Sequence, residues 1–230
     1  MNSTRRLLLL AALASVSAFA APPGPSTATA AKPVNIAVVY FDVLSQNAEL
    51  SAFSKGLAAM MITDLTNADP GLKVLERDRL EAILGELKLG ETKYSDPSNL
   101  AKIGKLLGVD FIVTGSLIRA ANVSSIELKL FSVPTSEVKA TARVKMKDDD
   151  VFTAEQGCVE AVLKNLDRLK GSLSFGSRGT LPFASAVKYS LALDAKDKKD
   201  KPTATRLLKE VVVERPEFAL AKLDLMTLTE

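Results

Sequence analysis

The 230-residue sequence contains no histidine, no tryptophan and a single cysteine, and aromatic residues make up 5% of it. Without histidine the chain cannot carry a Ser-His-Asp or Cys-His catalytic group or a histidine metal site. The shortage of aromatic residues leaves little surface on which nucleic-acid bases could stack. We therefore predict no catalytic residue, no cofactor-binding residue and no metal ligand.

The single cysteine, Cys158, has no partner for a disulfide within the chain. It lies beside Val159 in a helical pattern, which favours a buried, unreactive thiol over a nucleophile. An intermolecular disulfide is the lesser alternative.

A strong charge of one sign is also lacking. The chain has 30 Lys and Arg against 27 Asp and Glu, a net charge of +3. Residues 1–20 contain Arg5 and Arg6 and no acid, so the remainder has 28 basic and 27 acidic residues and a net charge of +1. A nearly neutral chain lacks the basic footprint of a nucleic-acid binder, and we predict no nucleic-acid partner.

Long apolar runs are scarce, and the clearest one lies at the N-terminus. Arg5 and Arg6 precede the apolar run Leu7–Ala18, and small residues surround a cleavage point after Ala20. This order of parts predicts a secretory signal peptide over residues 1–20. The run is shorter than the roughly 18 apolar residues of a membrane-spanning helix, so we expect no transmembrane segment in the mature chain. The chain is predicted to be exported and periplasmic, and peripheral to the outer membrane.

Residues 34–170 are predicted to form an α/β domain with a mixed sheet. Val34–Phe41 is almost unbroken in its apolar character, as is typical of a strand covered on both faces. From Phe53, apolar residues recur at four-residue spacing, which indicates a helix. Residues 126–130 and 138–146 alternate between apolar and polar, like antiparallel strands with one solvated face. The predicted order is β-α-β-α-α-β-β-β-α.

The flanking segments differ in composition from this domain. Residues 21–33 are rich in Pro, Ser, Thr and Ala and are predicted to be a disordered tether. Residues 171–181 begin with a Gly/Ser-rich stretch and are predicted to be a linker. Residues 182–230 contain three helical stretches and form a small C-terminal helical segment.

Four short strings occur in order within the α/β segment: IAVVYFD at 36–42, ITDL at 62–65, VLERDRL at 74–80 and LLGVDFIVTGS at 106–116. Together they resemble the corresponding stretches of the CsgG-like family of curli secretion channels, which also takes in flagellar outer-membrane accessory proteins and lipoprotein activators of cell-wall synthases. The resemblance covers residues 34–170. It implies an envelope protein of a Gram-negative bacterium whose α/β domain binds other proteins.

The sequence departs from the channel members of that family in two places. Those members resemble lipoproteins with a lipidated cysteine after the signal, where this chain has Ala21. They also carry added membrane hairpins, whose strands need about 9–11 residues each. The segments Val43–Leu50 and Arg119–Val123 are short and polar by comparison, so we do not expect a pore.

The C-terminal segment resembles one tetratricopeptide-like repeat. Ala192, Ala204 and Pro216 match the close-packing positions and the helix-ending proline of such a repeat. A single helical repeat cannot bury its apolar face alone. We expect it to dock on the α/β domain or on a partner.

Two groups of charged residues are candidates for binding. Glu76, Arg77, Asp78 and Arg79 lie at a predicted strand-to-helix junction and are candidates for a protein-interaction edge, the alternative being plain capping and dipole pairing.

A second group, Lys139, Arg143, Lys145 and Lys147, forms a candidate basic face. It could receive an acidic partner or anionic lipid, or be an ordinary solvated strand face. The acids Asp148–Asp150 that follow are predicted to cap the next helix rather than to bind calcium.

Together these features predict a non-enzymatic accessory protein that binds envelope proteins in envelope assembly, surface-appendage export or cell-wall regulation. One alternative is a ring-forming structural subunit of an outer-membrane secretion or flagellar assembly, which would make the chain a homo-oligomer. A second alternative is a carboxylate-dependent hydrolase, which would need paired acids without structural partners lining a deep pocket.

Overall fold

The computed structural model describes residues 33–43, 48–86, 96–120, 123–176 and 178–229. The predicted signal peptide and nearly all of the predicted tether lie outside the described residues. Within the described ranges, no helix has both the length and the apolar character needed to cross a membrane.

One mixed sheet forms the centre of the described chain. Its strands are β1 (Val34–Val38), β2 (Asp42–Val43), β3 (Leu72–Val74), β4 (Phe111–Ala120), β5 (Val123–Ser132) and β6 (Glu137–Met146). The strand order is β3-β1-β4-β5-β6, and β2 pairs with β4. The pairs among β1 to β4 are parallel, whereas β4, β5 and β6 are antiparallel. The mixed α/β fold class is confirmed, with the two-residue β2 as an unpredicted addition.

Seven helices surround the sheet in the described ranges: α1 (Ala48–Ala68), α2 (Arg77–Glu86), α3 (Pro97–Leu107), α4 (Val151–Asn165), α5 (Phe183–Asp197), α6 (Lys201–Glu214) and α7 (Ala219–Thr229). Local sequence explains the ends of α3. The Asp96 carboxylate accepts a hydrogen bond from the Ser98 amide, and Gly108 ends the helix in the left-handed region at a φ of 66°.

The helices cover the sheet unequally. Helices α1 and α4 pack on one face, where β5 places the buried side chains Ile126, Leu128 and Leu130. Gly157 of α4 permits a close approach, because a Cβ there would lie 3.0 Å from a methyl group of Val144. Helix α3 packs on the opposite face, where Gly104 lies against Ile112 of β4.

The C-terminal helices pack on the α/β domain. Phe53 of α1 meets Phe183 of α5 edge to face, with ring centroids 5.1 Å apart. Phe152 of α4 meets Phe218 in the same way at 5.2 Å. The buried apolar residues of both parts form one continuous cluster. The sequence allowed the C-terminal helices to dock either on the α/β domain or on a partner. The structure shows that they dock on the α/β domain.

Asp150 connects the two parts through hydrogen bonds. Its carboxylate accepts from the Phe152 amide as the N-cap of α4, and also from the Leu181 amide just before α5 at 2.9 Å. The predicted capping role is confirmed for this residue. Asp148 and Asp149 instead form the turn before it, with φ of 52° and 58°.

Candidate interaction surfaces and a buried acid pair

The predicted edge at the start of α2 lines a groove. The groove has a volume of about 210 Å³ and lies where α1, α2, α5 and α7 meet. We call it the junction groove; its lining residues are Ala59, Ile62, Thr63, Glu76, Arg77, Asp78, Tyr189, Leu193, Lys196, Leu220 and Asp224. Three of the four predicted edge residues therefore lie in a concavity shared by the α/β domain and the C-terminal helices.

Arg77 is held inside the chain. Its guanidinium donates to both carboxylate oxygens of Asp197 in α5, at 2.8 and 2.9 Å. Lys55 of α1 donates to Asp194 and Asp197, at 2.9 Å each. With Glu81 these residues form what we call the junction cluster, which ties α1 and α2 to α5. Glu76, Asp78 and Arg79 are exposed, although Asp78 accepts a hydrogen bond from Arg77 at 3.4 Å, and the role of these residues as an interaction edge stays a prediction.

Glu81 is the poorly satisfied member of the junction cluster. Its Oε1 is buried without a hydrogen bond, and the nearest cations are Lys55 at 3.9 Å and Arg77 at 4.0 Å. Burial, followed by the negative charges of Asp197 and Asp194, raises the pKa of Glu81 to about 7. This carboxyl therefore titrates near neutral pH.

The opposite wall of the junction groove is fixed by Asp224 of α7. The Tyr189 hydroxyl donates to its Oδ2 at 2.8 Å, and Lys196 donates to its Oδ1 at 3.3 Å. Burial, and then the charge of Asp224, raises the pKa of the Tyr189 phenol well above its usual value. The groove therefore has an internally paired wall on α5 and α7 and exposed acids on α2.

Helices α6 and α7 also expose apolar side chains. Val213 is 82% exposed, Leu223 58% and Met226 61%. In α7 only Ala221 is fully buried, although the helix is mostly apolar. Exposed apolar groups that lie close together often mark protein interaction sites. The sequence shows the apolar character of α7 but not which of its residues stay uncovered.

The structure places all four residues of the candidate basic face on or directly after β6. Lys139, Arg143, Lys145 and Lys147 are all exposed, and β6 is an edge strand of the sheet. Arg143 pairs with Glu127 of the neighbouring strand β5. A β-bulge beside Lys139 interrupts the alternation of β6, and the Lys139 ammonium lies 5.2 Å from the centre of the Phe111 ring, on the face of the sheet that carries Leu130. We call the surface of Arg143, Lys145 and Lys147 the basic strand face; its role as a binding surface also stays a prediction.

A buried acid pair that local sequence patterns do not reveal joins α1 and α4. Asp64 receives two hydrogen bonds from Arg178, at 2.5 and 2.6 Å. Glu155 is completely buried, neither of its oxygens has a hydrogen bond, and the Arg178 guanidinium is 3.9 Å away. Burial and the neighbouring Asp64 raise the pKa of Glu155 well above its usual value, with Arg178 opposing them. Burial therefore favours the protonated form of Glu155, which allows two acids to lie beside one cation.

We call Asp64, Glu155 and Arg178 the clasp; their contacts within the chain indicate a structural role. The Arg178 guanidinium also lies 5.7 Å from the Phe152 ring centre and 5.5 Å from that of Phe175. A neighbouring cavity of about 420 Å³ is lined by Asp64 and Arg178 but not by Glu155. Since Asp64 is neutralised by Arg178, the clasp does not meet the requirement for a carboxylate hydrolase that the sequence analysis set.

Cys158 is completely buried in α4 and forms no disulfide. Burial and the nearby Glu155 raise the pKa of its thiol. The predicted burial of the thiol is confirmed, and its low reactivity stays a prediction.

The sequence matches a known family over its α/β part. The family model described as "Curli production assembly/transport component CsgG" matches residues 24–145, which is more than half of the chain and includes the described strands up to the last residue but one of β6. The match ends before α4, so the tetratricopeptide-like interpretation of α5–α7 stays a prediction.

One curated relative and two solved structures illustrate the similarity. The chain is 29% identical over 148 residues to the "Putative adenylate cyclase 3" of Rhizobium meliloti (strain 1021), covering 64% of this chain and 23% of that protein. The LpoB C-terminal domain of Salmonella enterica shares 15% identity, covering 50% of this chain and 82% of that one, with a TM-score of 0.39. Lipoprotein GNA1162 of Neisseria meningitidis shares 16%, covering 62% and 100%, with a TM-score of 0.41. At these TM-scores neither likeness carries a functional conclusion.

Proposed function

Because the chain belongs to the CsgG family, we propose that it is an exported, periplasmic accessory protein of the cell envelope that binds a protein partner. The partner would act in envelope assembly, surface-appendage export or cell-wall regulation. The match to the adenylate cyclase spans 23% of that protein, so we do not propose its named activity for this chain. We propose no enzymatic role, since the clasp acids are internally neutralised.

The junction groove is the observation that carries this proposal. It is built from α1 and α2 of the α/β domain together with α5 and α7 of the C-terminal segment. Its lining is mixed: Ile62 and Leu220 would contact an apolar group, and the exposed acids Glu76 and Asp78 would select a polar or basic neighbour. The exposed Leu223 and Met226 of α7 would extend the contact with apolar surface.

Site-specific photocrosslinking in the envelope tests this proposal. A photoreactive amino acid at Asp78 or Leu223 should give adducts with one and the same protein, because both positions border the proposed contact. The matched control is Glu160, which is exposed on α4 and should give no such adduct. Adducts between two copies of this chain would instead support the alternative of a ring-forming subunit. Equal labelling at all three positions would contradict a specific site.

A further inference from the structure

The basic strand face concentrates charge that the rest of the chain does not have. Residues 137–147 contain four cations and one acid, a net charge of +3, whereas the chain without its first 20 residues has +1. Neighbouring β5 adds Lys129, which lies opposite Thr141 on the same face as Arg143. Glu127 of β5 neutralises Arg143. The lysines therefore supply the excess positive charge.

Two exposed acids mark the end of the basic strand face. Asp148 and Asp149 follow the strand directly, but they lie in the turn that leads into α4. Helix α4 packs on the other face of the sheet, against the side that carries Leu128 and Val144. The chain therefore turns from β6 toward α4 at Asp148 and Asp149.

The composition of the face favours a lipid surface over a protein. The cores of protein interfaces are poor in lysine and rich in aromatic residues, Met and Arg. Among the described residues, the strongly exposed large apolar side chains lie on or beside helices, except for Val138 at 39% exposure. Anionic headgroups attract clustered Lys and Arg, and because they are mobile they need no matching shape. From Arg143 to Lys147 the row extends for about 14 Å at the usual rise of a strand.

We propose that the basic strand face binds the anionic headgroups of a phospholipid surface. Contact of this kind would place β5 and β6 against the membrane. It would leave α1, α4 and the helices stacked on α1 directed away from it, because they lie on the other face of the sheet, whereas α3, which packs on the same face against β4, would lie beside the contact. The chain could then hold a membrane and a protein partner at the same time. This inference is independent of the junction groove.

Vesicle co-sedimentation of the chain purified after export tests this inference. The probes are vesicles of phosphatidylcholine alone and of an equal mixture with phosphatidylglycerol. We expect binding to the mixture only, and its loss at about 1 M salt, where the Debye length is about 3 Å. The variant Lys129→Gln/Lys145→Gln/Lys147→Gln should weaken binding on the order of a hundredfold, at about fivefold per lysine.

The matched control removes the same charge elsewhere. Lys201→Gln/Lys209→Gln/Lys222→Gln changes three exposed lysines of α6 and α7 and should bind the mixed vesicles almost as the unmodified chain does. Circular dichroism of both triple variants confirms that each is folded. Equal loss in the two variants, or binding that persists in high salt, would overturn the proposal. The proposal would also be overturned if the basic strand face did not bind vesicles that contain phosphatidylglycerol but crosslinked to an acidic protein segment.

Discussion

The clasp and the junction cluster both tie distant parts of the chain to α1, yet they balance charge in different ways. The clasp encloses two acids with one cation, and Glu155 has no access to water. The junction cluster sets Glu81, Asp194 and Asp197 against Lys55 and Arg77 in a half-buried position. In the sealed site burial raises the pKa of Glu155 and so favours its protonated form, whereas the open site uses ion pairs and solvent. Depth of burial, more than the number of ion pairs, therefore decides how much each cation contributes to the free energy of unfolding.

The largest expected effect comes from opening the clasp. Arg178→Ala leaves Asp64 buried and unpaired beside Glu155, which should cost about 3 kcal/mol or more of unfolding free energy. Urea unfolding at neutral pH measures this loss. The double variant Asp64→Asn/Arg178→Gln removes the charges together and should recover much of it. A loss below about 1 kcal/mol for the single variant would show that the clasp is open to water.

A smaller effect is expected from the junction cluster. Asp197→Asn weakens the contacts of both Arg77 and Lys55 with α5, and should cost about 1–2 kcal/mol because these charged hydrogen bonds are only partly buried. The same urea experiment measures it, with Glu160→Gln on the exposed face of α4 as the control. A cost equal to that of Arg178→Ala would remove the distinction between the two clusters.

The smallest effect concerns Glu81 and depends on pH. Its folded-state pKa of about 7 lies above its usual 4.5, so the folded chain holds an extra proton between those values. The stability that this proton contributes is present below about pH 4.5 and is lost as the pH rises to about 7. Glu81→Gln should therefore stabilise the chain at pH 8 relative to pH 5 by about 1 kcal/mol, the full shift being discounted for solvent screening.

Urea midpoints of the Glu81→Gln variant and the unmodified chain at both pH values give this difference. Changes shared by the two chains cancel in the comparison. If the difference between the chains does not depend on pH, Glu81 is ionised throughout and the junction cluster is more open to solvent than its geometry indicates.

Local patterns in the sequence account for much of the fold. The four-residue spacing of Phe53, Leu57, Met61 and Leu65 predicts a packed helix, and all four side chains are completely buried in α1. Alternation predicts the solvated strand β6, whose cations are indeed exposed. Periodicity and capping are local properties, so a single sequence records them directly.

The candidate sites depend on contacts that no local pattern records. Arg77 and Asp197 are 120 positions apart, and Asp64 and Arg178 are 114 apart. The Gly and Ser residues of 171–181 predict a linker without a specific role, yet Arg178 within it anchors the clasp. The sequence could thus place Arg77 at an edge without showing that α5 already occupies its guanidinium.

Helix α1 is enclosed by the sheet on one side and by α5 on the other, and Gly56 lies so near Ser190 that a Cβ there would come within 2.0 Å of its hydroxyl. A truncated chain that ends before α5 would expose to water the Phe53 ring and the surface of α1 at Gly56. Such a fragment should self-associate instead of behaving as an independent module. Any shorter relative that functions without these helices would need different side chains at both positions.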